Sequence, residues 1–142
     1  MGQTTLVHLD SMVFIYYLDS SDKKLHEASR RIIHQVVEGV ISAITSQISV
    51  IETLSPAKYT NDPDRMEAYT LFFRNTPNLV VYPVEWSVSF EAARLRRQFR
   101  SLRTPDAIQL STALVGGAKR FITRDIRLTK LNGFPFQITL LK

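Results

Sequence analysis

The sequence contains no cysteine, which excludes both a disulfide framework and a thiolate metal site. It also lacks any run of about 18 apolar residues that would span a membrane, and its start, MGQTTLVHLD, has neither the basic beginning nor the apolar stretch of a secretory signal. Its three histidines, His8, His26 and His34, do not have the spacing of a zinc site, so we interpret them as structural. These absences predict a cytoplasmic protein with no membrane segment and no export.

Composition and charge indicate one soluble globular domain with an anionic partner. The chain has 142 residues, 44% hydrophobic and 22% charged, so we expect residues 1–142 to form a single domain. Lys and Arg number 18 against 13 Asp and Glu, which gives a formal net charge of +5 and favours a polyanion as partner. Much of the excess lies in ARLRRQFRSLR, which is either a solvated helix face or a nucleic-acid contact and contains Arg94, Arg96, Arg97, Arg100 and Arg103.

Short β-rich segments alternate with helical ones along the chain. Gly39 is suited to end one helix, Ser46 to cap the next, and Pro63 to begin a third. Strands separated by helices imply right-handed crossovers and a mainly parallel sheet covered on both faces. The sequence therefore predicts an α/β fold, a single three-layer α/β/α domain with four to five strands, at residues 4–9, 40–45, 79–82, 120–123 and 136–141.

Four acidic residues occupy related places in this pattern. Asp10 follows the first predicted strand, Glu52 lies in the helix after the second, Asp106 opens the helix before the fourth, and Asp125 follows the fourth. Each has an ordinary structural explanation as a cap, a turn residue or a helix surface residue; for Asp106, Thr104 would be the N-cap and Pro105 the first helical residue. Because function collects at the carboxyl ends of parallel strands, we expect the four acids to meet at one edge of the sheet.

Such a cluster predicts a divalent metal site. Mg²⁺ prefers oxygen ligands and is typically held by carboxylates together with substrate phosphate. A bound cation polarises a scissile phosphate and lowers the pKa of an attacking water, so no covalent nucleophile is needed. Without the metal, mutual repulsion should raise the pKa values of the four carboxyl groups.

The motifs HLDSMVFIYYLD, SVIETL, LRTPDAIQLSTAL and RFITRD resemble, in order and spacing, those of PIN-domain nucleases, particularly VapC-type toxins. The resemblance implies a PIN-like α/β/α fold and a Mg²⁺- or Mn²⁺-dependent endoribonuclease. It implies that Asp10, Glu52, Asp106 and Asp125 are both the catalytic and the metal-binding residues. Supporting roles fall to Ser11, Thr104 and Thr123. Two positions depart from the family pattern: Met12, where many members carry Asn, and Leu128, where an aromatic residue is common.

The resemblance also implies partners. RNA is the expected substrate, with Arg100 and Arg103 as the first candidates for phosphate contacts. VapC-type proteins usually form homodimers and are silenced by an antitoxin protein, which we expect to present Arg or Lys to the acids in place of the cation. Interfaces favour aromatic residues, and the early helices supply candidates for such a surface in Tyr16, Tyr17, Phe72 and Phe73, although we expect at least half of them to pack in the core.

Two other classes of function compete with this one. Phosphotransfer enzymes that need a second acid two residues after the first are disfavoured because Met12 holds that position, and a receiver-like domain would carry paired early acids and a late lysine. The more serious alternative is a catalytically silent PIN-like module that binds RNA or a protein without cutting. A metal-dependent cleavage assay distinguishes it from a nuclease.

Overall fold

Five short strands form one parallel sheet in the computed structural model, which describes residues 4–142. The sheet order is β3-β2-β1-β4-β5, and all four neighbouring pairs are parallel. This confirms the predicted strands to within about one residue at each end. The strands are Thr5–Leu9 (β1), Ile41–Ser46 (β2), Leu79–Tyr82 (β3), Arg120–Thr123 (β4) and Gln137–Leu140 (β5).

Six α-helices connect the first four strands, and local sequence signals fix most of their ends. Ser46 caps α3 by accepting the Ile48 N–H at 3.1 Å, and Gly39 follows α2 with a φ of 77°, as predicted. One predicted boundary is wrong: the helix that carries the third acid already begins at Thr104, so its N-cap is Arg103. The helices are Ser11–Leu18 (α1), Lys23–Val37 (α2), Gln47–Leu54 (α3), Pro63–Asn75 (α4), Trp86–Gln98 (α5) and Thr104–Gly116 (α6).

Both faces of the sheet are covered by helices, because alternate residues of each strand enter two separate hydrophobic clusters. Val7 and Leu9 of β1 pack with α1, α2 and α4 on one face. Phe121 of β4 and Ile44 of β2 pack with α5 and α6 on the other. The predicted three-layer α/β/α architecture is confirmed.

The strand order places β1 and β4 side by side at the centre of the sheet. From β1 the chain proceeds through β2 to β3 at one edge, whereas from β4 it proceeds to β5 at the other. The carboxyl ends of β1 and β4 therefore face a crevice from which the connections diverge, the usual place for a site in an open α/β sheet. The Asp10 N–H donates to the Ile122 carbonyl at 2.9 Å, so the first acid is anchored at this crevice.

The aromatic residues of the early helices do not form an exposed surface. Phe73 is buried, and Tyr16, Tyr17 and Phe72 are half-buried against the same hydrophobic cluster, so these residues contribute to the core and their role in an interface stays a prediction. The exposed aromatics lie instead at the start of α5. Over residues 4–142, none of the helices is both long and apolar enough to cross a membrane.

Candidate active site

Asp10 lies directly after β1 and caps α1. Its Oδ1 accepts the Ser11 N–H at 2.9 Å, and its Oδ2 accepts the Thr123 hydroxyl at 2.7 Å. The pKa of Asp10 is raised from its ordinary value of 3.8 to about 6, mainly by burial and to a smaller extent by the charges of Glu52 and Asp106, while the two hydrogen bonds partly oppose the shift. Asp10 is thus a desolvated carboxylate close to two other acids.

Glu52 reaches the same edge from α3. Its side chain is exposed, and its Oε1 accepts the Ser11 hydroxyl at 2.9 Å. Ser11 therefore contacts two of the predicted acids, Asp10 through its backbone N–H and Glu52 through its side chain. This is the geometry expected of a supporting residue.

Asp106 is the third residue of α6, and its side chain is only 12% exposed. Its Oδ2 accepts the Arg103 backbone N–H at 3.2 Å and lies 3.3 Å from the Arg103 Nε. The carboxylate therefore accepts a hydrogen bond at the N-terminus of α6, as the structural explanation predicts. Its negative charge also contributes to the raised pKa of Asp10. Thr104 is exposed and, among the hydrogen bonds of residues 4–142, makes none to an acid.

Asp125 follows β4 and is oriented by two residues. Its N–H donates to the Thr123 hydroxyl at 3.0 Å, so Thr123 joins Asp10 to Asp125. Its carboxylate binds the Arg127 guanidinium, with Nε 3.0 Å from Oδ1, and this hydrogen bond lowers the pKa of Asp125. The expected rise in carboxyl pKa is therefore found at Asp10, where burial contributes more than repulsion between the acids, and the expectation is wrong for Asp125.

Arg127 is a site residue that the sequence analysis missed. A terminal nitrogen of its guanidinium lies 3.8 Å from the Asp106 Oδ2, in addition to its contacts with Asp125. The available signal was an arginine two residues after the fourth acid. In the structure, Arg127 and Arg103 supply positive charge to Asp106 and Asp125.

In the part of the chain that is described, no three acidic or histidine side chains are gathered into a group that could hold a metal ion.

The arginine-rich segment is only partly helical. Helix α5 ends at Gln98, so Arg100 lies in the following turn and Arg103 directly precedes α6. Both are exposed, and Arg103 contacts the third acid. On the helix itself, Arg94 is paired with Glu91, with Nε 2.8 Å from the carboxylate. This places the two predicted RNA-binding arginines in the loop that leads to Asp106.

Buried polar side chains beneath the acids also escaped the sequence analysis. Gln109 of α6 donates to the hydroxyls of Ser11 and Ser49. A helical position facing the core is usually apolar, and a glutamine among Ile108 and Leu110 was the available signal. Through Ser11, this buried amide is thus linked to Glu52.

Comparison with solved structures shows the same fold in several bacterial toxin–antitoxin proteins. The VapBC2 complex of Rickettsia felis, bound to a DNA fragment from its promoter, aligns with a TM-score of 0.73 at 12% identity over 97% of this chain and 100% of that one. DNA-bound VapBC of Salmonella typhimurium gives 0.69 at 16% identity over 98% and 100%. VapC20 of Mycobacterium tuberculosis, a toxin that cleaves the sarcin–ricin loop, gives 0.62 at 14% identity over 81% and 86%.

Comparison with curated proteins gives no significant match. The family model of the PIN domain, in contrast, matches residues 7–133 and so includes all four predicted acids. The model covers most of the chain, and the strand order and helices agree with a PIN-like domain. The chain therefore belongs to the PIN domain family.

Proposed function

We propose that the protein is a Mg²⁺- or Mn²⁺-dependent endoribonuclease that hydrolyses RNA phosphodiester bonds as the toxin of a type II toxin–antitoxin pair. The observation that carries this proposal is the linked set of carboxylates at the crevice between β1 and β4. Ser11 joins Glu52 to Asp10. Thr123 joins Asp10 to Asp125, and Arg127 joins Asp125 to Asp106.

The donor oxygens are of the type that a hard divalent cation takes, although within residues 4–142 no three of the acids are gathered into a group that could hold one. The set consists of carboxylate oxygens, the ligands that Mg²⁺ and Mn²⁺ prefer, and the burial that raises the pKa of Asp10 leaves a charge that a cation would compensate. Asp10, Glu52, Asp106 and Asp125 would hold the ion. When bound, a divalent cation lowers the pKa of a coordinated water and neutralises charge on the phosphate and its leaving oxygen.

Residues of this chain would bind the substrate around that site. Arg100 and Arg103 are exposed in the loop before α6, and Arg103 already lies against Asp106. Arg127 lies between two of the carboxylates, so a phosphate entering the site would meet its guanidinium. One guanidinium group can bind two phosphate oxygens at once through charge-assisted hydrogen bonds. The three arginines thus favour a polyanion over a neutral ligand.

The proposed partners are an antitoxin and a second copy of the chain. Toxin–antitoxin complexes among the similar folds support the first. An antitoxin arginine or lysine would bind the carboxylates as Arg127 does in the structure. Exposed apolar side chains around the start of α5 support the homodimer, since Trp86 and Phe90 stack at 5.6 Å with 77% and 68% of their surface exposed.

A cleavage assay with matched variants tests the proposal. Purified protein should cut RNA in the presence of Mn²⁺ and stop when EDTA is added. Asp106→Asn keeps an acceptor for the Arg103 N–H, so it should fold and lose cleavage, whereas Asp64→Asn, at an exposed position in the first turn of α4, should cut like the wild type. A fully active Asp106→Asn protein would show that this residue has no catalytic role.

One observation favours the silent alternative. Arg127 pairs with two of the acids, an arrangement in which positive charge is already provided within the chain. If the protein binds RNA with unchanged affinity in EDTA and Mn²⁺ and never cuts it, it is a binding module and not a nuclease.

A further inference from the structure

Gln109 connects three helices beneath the carboxylates. Its side chain is 2% exposed, and its amide nitrogen donates to the Ser11 hydroxyl of α1 at 3.1 Å and to the Ser49 hydroxyl of α3 at 2.9 Å. The Ser11 hydroxyl donates in turn to Glu52 at 2.9 Å. A continuous path of hydrogen bonds therefore runs from the core of the domain to an exposed acid.

The direction of every proton on this path follows from the acceptors. The Thr45 hydroxyl donates to the Leu9 carbonyl at 2.7 Å, so the proton between Thr45 and Ser49 must come from Ser49. The single proton of Ser11 goes to the Glu52 carboxylate. Both serine oxygens then need a donor, and the Gln109 amide nitrogen supplies two protons. With that nitrogen in place, the Ser11 proton is directed to Glu52.

Glu52 depends on this path for its position. It lies on the exposed side of the short helix α3, and within residues 4–142 its carboxylate accepts a hydrogen bond only from Ser11. Without this hydrogen bond, the Glu52 side chain would be free to adopt several rotamers. Whatever orients the Ser11 hydroxyl therefore also determines where Glu52 stands relative to Asp10.

We propose that Gln109 is a positioning residue of the metal-binding edge, which orients the Ser11 hydroxyl and thereby holds Glu52 beside Asp10. The inference rests on the proposed function, because the carboxylates matter only if they bind an ion. The other end of the amide supports it. The Gln109 Oε1 is buried and finds no partner within residues 4–142, a cost that an apolar side chain of similar size would avoid. A role through Ser11 explains why the amide is present.

Mn²⁺ binding measures this role independently of cleavage. We would titrate Mn²⁺ into each protein and follow the free ion by its electron paramagnetic resonance signal. Gln109→Met conserves length and removes the donor, so it should weaken Mn²⁺ binding by about 10-fold, the size expected when support behind a metal ligand is lost. The control is Thr112→Val, one turn further along α6, whose buried hydroxyl donates only to the Ile108 carbonyl. It should bind Mn²⁺ like the wild type.

A double-mutant cycle shows whether Gln109 acts through Ser11. Ser11→Ala should weaken Mn²⁺ binding at least as much as Gln109→Met, and the double variant should be no weaker than Ser11→Ala alone. Ser11→Thr, which keeps a hydroxyl, should retain most of the affinity. Additive losses in the double variant, or unchanged affinity in a folded Gln109→Met protein, would refute the positioning role.

Two further outcomes remain distinguishable. If Gln109→Met fails to fold, Gln109→Asn replaces it, because this shorter amide cannot reach both serine hydroxyls; unchanged Mn²⁺ affinity in that variant would equally overturn the inference. If the wild-type protein itself binds no Mn²⁺, the proposed function fails. Wild-type binding together with unaffected Gln109 variants would leave the proposed function standing and remove only the role of Gln109.

Discussion

Replacing the first acid should stabilise the metal-free protein at neutral pH. Asp10 has a folded-state pKa of about 6, raised from 3.8 mainly by burial. Between these values the folded chain binds more protons than the unfolded chain, so the contribution of Asp10 to the free energy of unfolding decreases as pH rises. The difference between pKa values of 3.8 and about 6 corresponds to a destabilisation of the folded protein by about 3 kcal/mol. This destabilisation is fully present above pH 6 and absent below pH 3.8.

Asp10→Asn isolates this effect because asparagine cannot ionise and retains an oxygen that accepts the Ser11 N–H. Urea unfolding followed by circular dichroism in EDTA, at pH values from 3.5 to 8, gives the stability of both proteins. The variant should gain on the wild type by about 3 kcal/mol between the two ends of this range. Contributions from titrating groups that do not interact with Asp10 cancel in the difference.

Metal should reverse the order of stability. A ligand present at about 100 times its dissociation constant stabilises the folded state by about 2.7 kcal/mol, and only the wild type retains all four carboxylates. At pH 8 the variant should therefore be the more stable protein in EDTA and should lose that advantage in Mn²⁺. If the difference in the free energy of unfolding between the two proteins stays constant with pH, Asp10 does not have a raised pKa in the folded state.

Three further predictions concern the core and the surface. His8 is buried with both ring nitrogens unpartnered within residues 4–142 and a pKa lowered to about 3 by burial, so its contribution to stability is lost as pH falls below 6.5. His8→Leu should stabilise the protein at pH 7 by about 1–3 kcal/mol and make unfolding less acid-sensitive; a less stable variant would contradict this. Replacing Arg100 and Arg103 by Gln should weaken RNA binding in EDTA and reduce its salt slope by about 0.7 per lost phosphate contact, whereas an unchanged slope would make both residues ordinary solvated charges. Light scattering should give about twice the 16.2 kDa chain mass for the wild type and a monomer for the Trp86→Ser, Phe90→Ser double variant; a monomeric wild type would exclude the dimer.

Local signals in the sequence were sufficient for the fold. Strand positions followed from short β-rich runs, and helix ends followed from residues such as Gly39, Ser46 and Pro63. These signals act within a few residues, so they can be read without the rest of the chain. The start of α6 was misplaced by one residue because Thr104 is the better N-cap by residue type, whereas in the structure Asp106 accepts the backbone N–H of Arg103 and Arg103 becomes the cap.

The order of acids along the chain likewise pointed to the candidate site. Asp10 and Asp125 follow strands that a parallel sheet brings to one edge, and this holds whichever side chains surround them. The environment of each acid was a different matter. Burial raises the pKa of Asp10 while Arg127 lowers that of Asp125, and two acids that look alike in the sequence therefore differ in the structure.

The sequence by itself was enough to recognise the α/β pattern, the family motifs and the four candidate acids, because each is recognised from residues close together along the chain. Only the tertiary structure decided that Gln109 is hydrogen-bonded to Ser11 and Ser11 to Glu52, and that Trp86 and Phe90 are more exposed than the early aromatics. These contacts join residues far apart in the chain. Their formation depends on how helices pack on the sheet, and hydrophobic periodicity specifies which face of a helix is buried without specifying which polar side chains meet there.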